Sequence, residues 1–220
     1  MRYTEELVKE LAKDTYKNGD LPIPVNHYDS ALLVIDMQYE FVKPEWTPYW
    51  IPDATNQIPR IKGLIEYCRG KKMPVIFTAF KKTHLYEDRP LTGDAMPNRY
   101  HRFGYNPAWF KEGNICTELA PLESEIVLYK PSYGAFYDTP LETILKNLNC
   151  NTIIVCGTST NYSCGMTVRQ GYERGYRVVV GSDVTSTDDM VMHEQELKVI
   201  RKGFAKVMTS DEIINSLDQH

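Results

Sequence analysis

Residues 151–177 read NTIIVCGTSTNYSCGMTVRQGYERGYR, and the pattern of this segment sets the expectations for the whole chain. The segment opens with an apolar, β-branched run at 152–156, which is typical of a buried strand. The chain then turns at Gly157, a residue type that adopts backbone angles other residues avoid, and enters a stretch of helical character that ends at Gly175. The pattern therefore predicts a strand, a tight turn and a helix in succession.

The start of this predicted helix carries residues suited to chemistry. Thr160 and Asn161 are types that commonly cap a helix N-terminus. The free N–H groups and partial positive charge of the terminus would then face Ser163 and Cys164. Such surroundings lower the pKa of a thiol and stabilise a developing oxyanion. A plain connection between strand and helix, with a buried cysteine, fits the same residues.

The rest of the chain repeats this alternation of strands and helices. Strands are predicted at 31–35, 74–78, 125–129, 152–156, 177–180 and 205–208. Helices are predicted at 3–16, 58–69, 139–148, from the 157–161 turn to 174, and at 193–201 and 211–217. Such alternation favours a single-domain α/β fold, with a parallel sheet of six strands and helices on both faces. We expect residues 1–27 to form an N-terminal helix and lead-in, and residues 28–220 to form the domain.

Composition excludes several classes of protein. The 220 residues are 42% hydrophobic and 25% charged, enough for one domain with its own core. The formal net charge is -4 and no basic stripe occurs, so we expect no nucleic-acid partner. No apolar run approaches the roughly 18 residues that span a bilayer, and the polar N-terminus is unlike a signal peptide. The five cysteines are odd in number and form no CxxC pair, which indicates a reducing, cytoplasmic setting.

Three polar features follow predicted strands: Asp36, Lys130 and the turn at 158–164. Ligands of parallel sheets bind beyond the carboxyl ends of the strands, where the strand order reverses. An Asp at a strand end is often only a turn former, and a Lys before Pro131 is often a solvated surface residue. A carboxylate, an ammonium and a nucleophile at one edge together favour a catalytic site for a small molecule.

The motifs of phosphate and metal sites are missing from the sequence. Gly157 stands alone, with no Lys-Ser/Thr pair after it, so a phosphate loop is not expected. His193-Glu194 lacks a second His four residues on, His84 lacks the neighbouring ligands of a metal motif, and the five His are scattered. We therefore expect neither a metal nor another cofactor.

Three segments resemble the signature blocks of the isochorismatase-like cysteine hydrolases. They are LLVIDMQYEF (32–41), VLYKPSYGAFYDTPLETIL (127–145) and VCGTSTNYSCGMTVRQGYERGYRVVVGSDVTS (155–186). The blocks have the order and spacing of the family, and the resemblance extends from about Tyr28 to the C-terminal end. It implies a mostly parallel six-stranded sheet and an Asp-Lys-Cys triad that hydrolyses C–N bonds in amides, carbamoyl compounds and ureides.

Matched motif by motif, the resemblance makes Asp36 and Lys130 two members of the triad. The family's nucleophile lies six residues after the turn glycine and six before the helix arginine, and both Gly157 and Arg169 place it at Ser163. Cys164 lies roughly 100° further round a helix and is expected to face away from Asp36. Three explanations stay open: an engineered Cys→Ser substitution, a natural member that works without a thiol, as true isochorismatases do, or catalysis by Cys164 after a local change of register.

The resemblance also implies a mechanism. Asp36 takes the proton of the nucleophile at position 163 and later returns it to the leaving nitrogen, while the charge of Lys130 steadies the nucleophile. The backbone N–H groups of Ser159 and Ser163 would hold the oxyanion, and the Thr158–Ser159 peptide bond would be cis. A vinyl-ether hydrolase without a covalent intermediate and a non-catalytic binding protein are the alternatives.

Aromatic residues in loops are candidates for the walls of a substrate pocket or for the interface of a homo-oligomer, either a dimer or a tetramer. The long loop at 80–113 and the aromatic segment at 41–52 are expected to roof the pocket. The wall candidates, for which plain packing is an equal alternative, are Phe41, Trp46, Phe80, Tyr133 and Phe136. The segment TAFKKTH (78–84) lacks the metal-binding Asp and His pattern of nicotinamidases, which argues against that activity.

Overall fold

A parallel sheet between two layers of helices organises the protein. The computed structural model describes residues 2–18, 22–81 and 108–219. The strands are β1 (Ser30–Ile35), β2 (Val75–Phe80), β3 (Ile126–Lys130), β4 (Thr152–Thr158), β5 (Arg177–Ser186) and β6 (Lys206–Met208). The α-helices of the described residues are α1 (Glu5–Asn18), α2 (Tyr39–Val42), α3 (Pro52–Gly70), α4 (Leu141–Asn147), α5 (Gly165–Glu173), α6 (Met190–Gly203) and α7 (Ser210–Asp218).

The order of the strands creates a switch point at the middle of the sheet. The order is β3-β2-β1-β4-β5-β6, and every neighbouring pair is parallel. The chain moves outward from β1 through β2 and β3, and then returns to the other side of β1 with β4. Ligand sites of such sheets form where the carboxyl ends of these two central strands diverge. The predicted single-domain α/β fold with six strands is confirmed.

Two apolar clusters, one on each face of the sheet, form the core. Successive side chains of a strand point to opposite faces, so Leu32 and Val34 of β1 join one cluster and Leu33 joins the other. The first cluster includes Leu64 of α3, and the second includes Val168 of α5. Because β1 is buried on both faces, its sequence is a continuous apolar run rather than an alternating one.

Two of the predicted boundaries are wrong. β5 continues to Ser186 instead of ending at 180, because the Gly-Ser-Asp at 181–183 forms an irregularity within the strand and not a terminating turn. The pairing jumps there from Val155↔Val180 to Gly157↔Thr185. Helix α3 begins at Pro52, six residues before the predicted start, since a proline in the first helical turn loses no hydrogen bond.

Gly157 makes the closest backbone approach at the switch point. It has φ +111°, and a Cβ atom there would lie 2.0 Å from the carbonyl oxygen of Ile35. We expect Gly157→Ala to lower the free energy of unfolding by more than about 3 kcal/mol, or to prevent folding, because a clash with backbone adds to the strained conformation. Urea unfolding measures the change.

Gly175→Ala is the matched control. Gly175 also has a positive φ, +81°, but a Cβ atom there would meet nothing within 4 Å. Its substitution is expected to cost about 1 to 2 kcal/mol, the conformational penalty alone. Equal losses in the two variants would show that the approach of Gly157 to Ile35 is not tight.

Candidate active site

A buried ion pair lies at the carboxyl edge of the sheet. Nζ of Lys130 is 2.7 Å from Oδ2 of Asp36, and each side chain is only 1% exposed. Asp36 directly follows β1 and Lys130 is the last residue of β3, so the lysine side chain reaches across the end of the intervening β2. Taking two charges out of water costs several kcal/mol per ion, and such a pair persists only when its other polar atoms are also bonded.

The neighbouring groups supply those bonds. Nζ of Lys130 donates to the carbonyl oxygen of Ser132 at 2.9 Å and lies 3.4 Å from Oγ of Ser163. With Asp36, these give each of the three ammonium hydrogens an acceptor. On the other side of the pair, the hydroxyl of Thr78 donates to Oδ1 of Asp36 at 2.7 Å. The structure thus brings Asp36, Lys130 and Ser163 together around one ammonium group.

The backbone of Asp36 is itself in an uncommon conformation. Its φ is +49°, in the left-handed region that non-glycine residues seldom occupy. The N–H of Asp36 donates to the carbonyl oxygen of Thr78 at 3.1 Å, and its carbonyl accepts from the N–H of Gln38 at 2.7 Å. The side chain of Gln38 then bonds both the N–H and the carbonyl oxygen of Phe80, at 2.7 and 2.8 Å. These contacts fix the turn after β1 to the end of β2.

Sequence reasoning missed Thr78 and Gln38. Thr78 reads as an ordinary strand residue, and Gln38 as a polar loop residue. Their position could have identified them as site residues, because each lies near the carboxyl end of a strand, beside Asp36 in the chain or in the sheet. Both side chains are fully buried.

The turn between β4 and α5 carries position 163. The Thr158–Ser159 peptide bond is cis, as the resemblance implied, and residues Thr160–Cys164 form a π-helical turn. The prediction that Thr160 or Asn161 caps the helix is wrong, because Ser159 precedes the π-helical turn and Cys164 precedes α5, and neither makes a side-chain capping bond. The hydroxyl of Thr160 bonds Nδ1 of His193 at 2.8 Å instead, and Oδ1 of Asn161 accepts from the hydroxyl of Thr187. These side chains tie the turn to its neighbours.

Ser163 and Cys164 are adjacent in sequence but lie in opposite surroundings. Ser163 is 6% exposed, and its Oγ faces the ammonium of Lys130. Cys164 has no exposure and belongs to the apolar cluster that includes Ile35 and Val168. Burial raises the pKa of the Cys164 thiol well above its ordinary value, and the charge of Asp36 raises it further. The thiolate form of Cys164 is therefore strongly disfavoured.

Aromatic rings adjoin the ion pair on the β2 side. The ring of Phe80 lies 5.9 Å from Nζ of Lys130. Phe80 contacts Phe110 with ring centroids 5.4 Å apart, and Phe110 contacts Phe41 at 5.2 Å. Two of the predicted wall residues, Phe41 and Phe80, thus belong to one aromatic cluster that reaches Lys130.

The other three wall candidates lie in different places. Tyr133 stacks on Tyr162, with centroids 5.4 Å apart, next to the turn that carries position 163. Trp46 is 40% exposed. Phe136 is buried in the core and contacts Tyr176, with centroids 5.6 Å apart.

Neither a metal-binding cluster nor a membrane-spanning helix occurs in the part of the chain that the structure describes. In residues 2–18, 22–81 and 108–219, no three His, Cys, Asp or Glu side chains are grouped to hold a metal ion. Within the same ranges, every helix is too short or too polar to cross a bilayer. His84 and most of the predicted loop at 80–113 lie outside the described residues.

Comparison with known proteins extends these observations. The sequence model of a family described as the isochorismatase domain matches residues 30–212. Enterobactin synthase component B of Escherichia coli (strain K12) is 28% identical over 202 residues, which cover 87% of this chain and 67% of that protein. Nicotinamidase 3 of Arabidopsis thaliana is 27% identical, with 86% of this chain and 88% of that protein covered. The crystal structure of a cysteine hydrolase from Pseudomonas syringae pv. phaseolicola is 25% identical, with a TM-score of 0.80 and coverage of 91% and 97%.

The stability of the fold is expected to depend on both partners of the buried ion pair. Lys130→Met leaves Asp36 buried without its partner, so we expect the free energy of unfolding to fall by about 3 to 5 kcal/mol. Lys71→Met is the control, because Lys71 pairs with Asp218 at the surface, where solvent screens the interaction. Urea unfolding of both variants should show a large loss for the first and little change for the second. Comparable losses would contradict the importance of the buried pair.

The different surroundings of positions 163 and 164 predict different reactivity for thiols at these two positions. In a Ser163→Cys protein, iodoacetamide at near-neutral pH should alkylate the introduced thiol and leave Cys164 unmodified, because the thiolate is the reactive form and burial disfavours it at Cys164. Peptide mass spectrometry after a timed quench identifies the modified residue. Alkylation of Cys164 at a comparable rate would contradict this placement.

Proposed function

The chain belongs to the isochorismatase family of hydrolases, and from this premise we propose that it hydrolyses a C–N bond in a small amide, ureide or carbamoyl compound. One observation carries the proposal: the ammonium of Lys130 lies between the carboxylate of Asp36 and the side chain at position 163, in a buried site at the switch point. Such convergence of charged groups with a nucleophile position is typical of covalent hydrolysis. The similarity to a nicotinamidase supports an amide substrate.

The proposed chemistry assigns each group a role. Asp36 accepts the proton of the nucleophile at position 163, and Lys130 stabilises the negative charge that this leaves on the nucleophile. The nucleophile attacks the carbonyl carbon, and the C–N bond breaks as Asp36 returns the proton to the leaving nitrogen. Water then attacks the acyl-enzyme and gives a proton to Asp36. The acid is released as Asp36 passes this proton back to the nucleophile. We assign the oxyanion to the backbone N–H groups of Ser159 and Ser163.

Phe80 and Tyr133 are the wall residues that the contacts support best. Phe80 lies beside Lys130, and Tyr133 stacks next to the turn that carries position 163. Phe41 extends this wall through Phe110. We assign Phe136 to the core, since its ring packs there.

Ser163 favours a second candidate function. A serine hydroxyl is a much weaker nucleophile than a thiol and needs a stronger base than a carboxylate. If serine is the natural residue, hydrolysis of a vinyl ether without a covalent intermediate fits the site, with Asp36 as the proton donor and acceptor. The two functions differ in whether the enzyme becomes acylated.

The proposal extends to compartment and assembly. All five cysteines are free and buried, which supports a reducing compartment such as the cytoplasm. Met190, Val191 and Met192 at the start of α6 are exposed, and neighbouring apolar side chains of this kind are common at subunit interfaces. We therefore propose a homo-oligomer, either a dimer or a tetramer.

Substitution at position 163 tests the function. The protein with Ser163 should be nearly inactive on amides, ureides and carbamoyl compounds, and Ser163→Cys should raise kcat/KM by several orders of magnitude, because Asp36 can deprotonate a thiol near a cation far more readily than a hydroxyl. A steady-state assay of both proteins on a panel of these compounds makes the comparison.

Cys164→Ala in the Ser163→Cys background is the control, and it should cost little activity. Equal kcat/KM for the Ser163 and Ser163→Cys proteins would contradict the assignment of position 163. Loss of turnover on Cys164→Ala would move the nucleophile to Cys164.

A further inference from the structure

Thr78 is a polar residue in an otherwise apolar strand. Strand β2 reads VIFTAF, and Thr78 has no exposed surface. Burial of a hydroxyl without a hydrogen bond costs roughly 1 to 3 kcal/mol in proteins. A valine would have nearly the same shape and would avoid that cost. The hydrogen-bond partner of the Thr78 hydroxyl therefore indicates what the threonine contributes.

The hydroxyl of Thr78 points at the carboxylate of the ion pair. It donates to Oδ1 of Asp36 at 2.7 Å, and the N–H of Asp36 lies 3.1 Å from the carbonyl oxygen of Thr78 and 3.3 Å from its Oγ1. This double contact follows from the strand register, which pairs Thr78 with Ile35, the residue before Asp36. One residue of β2 therefore holds both the backbone and the side chain of Asp36.

The two oxygens of the Asp36 carboxylate are bound by different partners. Thr78 binds Oδ1, and Lys130 binds Oδ2 at 2.7 Å. An ionised carboxylate oxygen accepts about two hydrogen bonds, so each oxygen keeps an acceptor position after these contacts. The contacts fix the plane of the carboxylate without using up its capacity to take a proton.

We propose that Thr78 is a positioning residue, whose hydroxyl holds the Asp36 carboxylate in the orientation that accepts the proton from position 163; this inference rests on the proposed function. Thr78 acts through Asp36 and is assigned no contact with the substrate or with the nucleophile. Misplacement of a catalytic group by about 1 Å can cost roughly 100-fold in rate. Loss of the hydroxyl should therefore slow the chemical step and leave substrate binding nearly intact.

A second threonine of the sheet shows that burial alone does not create such a bond. Thr152 begins β4 at the opposite edge and is also fully buried, yet its hydroxyl has no hydrogen-bond partner among the described residues. Thr152→Val makes the same chemical change as Thr78→Val, far from the ion pair. It is a matched control for the loss of a buried threonine hydroxyl.

The experiment uses the full chain in the Ser163→Cys background. Thr78→Val is expected to lower kcat by roughly 100-fold with KM nearly unchanged, the pattern of a substitution that slows the chemical step without weakening substrate binding. Thr78→Ser, which keeps the hydroxyl, should retain most of the activity, and Thr152→Val should match its parent. Thr78→Ala removes the same hydroxyl, and its kcat and KM are measured in the same way. Thermal unfolding confirms that each variant is folded.

Alkylation of the introduced thiol provides a readout that needs no substrate. Because Asp36 is assigned as the acceptor of the thiol proton, Thr78→Val should slow the reaction with iodoacetamide at near-neutral pH, and Thr78→Ser should not. If the Ser163→Cys protein cleaves none of the amides, ureides and carbamoyl compounds of the panel, the proposed function fails, and the alkylation rates still decide the role of Thr78. If that protein is active and Thr78→Val matches it in kcat and alkylation rate, or if Thr78→Ser loses as much as Thr78→Val, the positioning role is overturned while the proposed function stands.

Discussion

The ion pair between Asp36 and Lys130 is the constraint on which the rest of the carboxyl edge depends. Both charges are buried, so each must be bonded on every side or the fold loses several kcal/mol. The bonds come from Thr78 at the end of β2, from the carbonyl oxygen of Ser132 after β3, and from Ser163 in the turn after β4. Four strand ends must therefore be placed together before the pair is stable.

The parallel sheet provides that placement. Its strand order puts β1 between β2 and β4, so the residues after these strands meet at one edge. The close approach of Gly157 to Ile35 lets the chain leave β4 beside Asp36. The π-helical turn then presents Ser163 to Lys130 and directs Cys164 into the apolar core. Which of the two neighbouring side chains faces the ion pair is thus decided by the side of the turn that each occupies.

The sequence predicted the parts of the structure that depend on local patterns. Continuous apolar runs identify the buried strands, and the resemblance points to Asp36, Lys130 and position 163. Thr78 could not be singled out, because a threonine in a strand is common and its partner, Asp36, follows a neighbouring strand far away in the sequence. The side chains of Thr160 and Asn161 look like helix caps, but tertiary contacts with His193 and Thr187 take them instead. The full length of β5 was hidden for a similar reason, since Gly-Ser-Asp serves equally in a turn and in a strand irregularity.

The central claim is that the ion pair activates a nucleophile at position 163 for acyl transfer. The most direct test is a peptide mass spectrum of the Ser163→Cys protein, quenched during turnover of an amide substrate. The account predicts a mass increase equal to the acyl group on residue 163, and no such adduct when Asp36→Asn is added. Product formation without any adduct, or an adduct on Cys164, would contradict it.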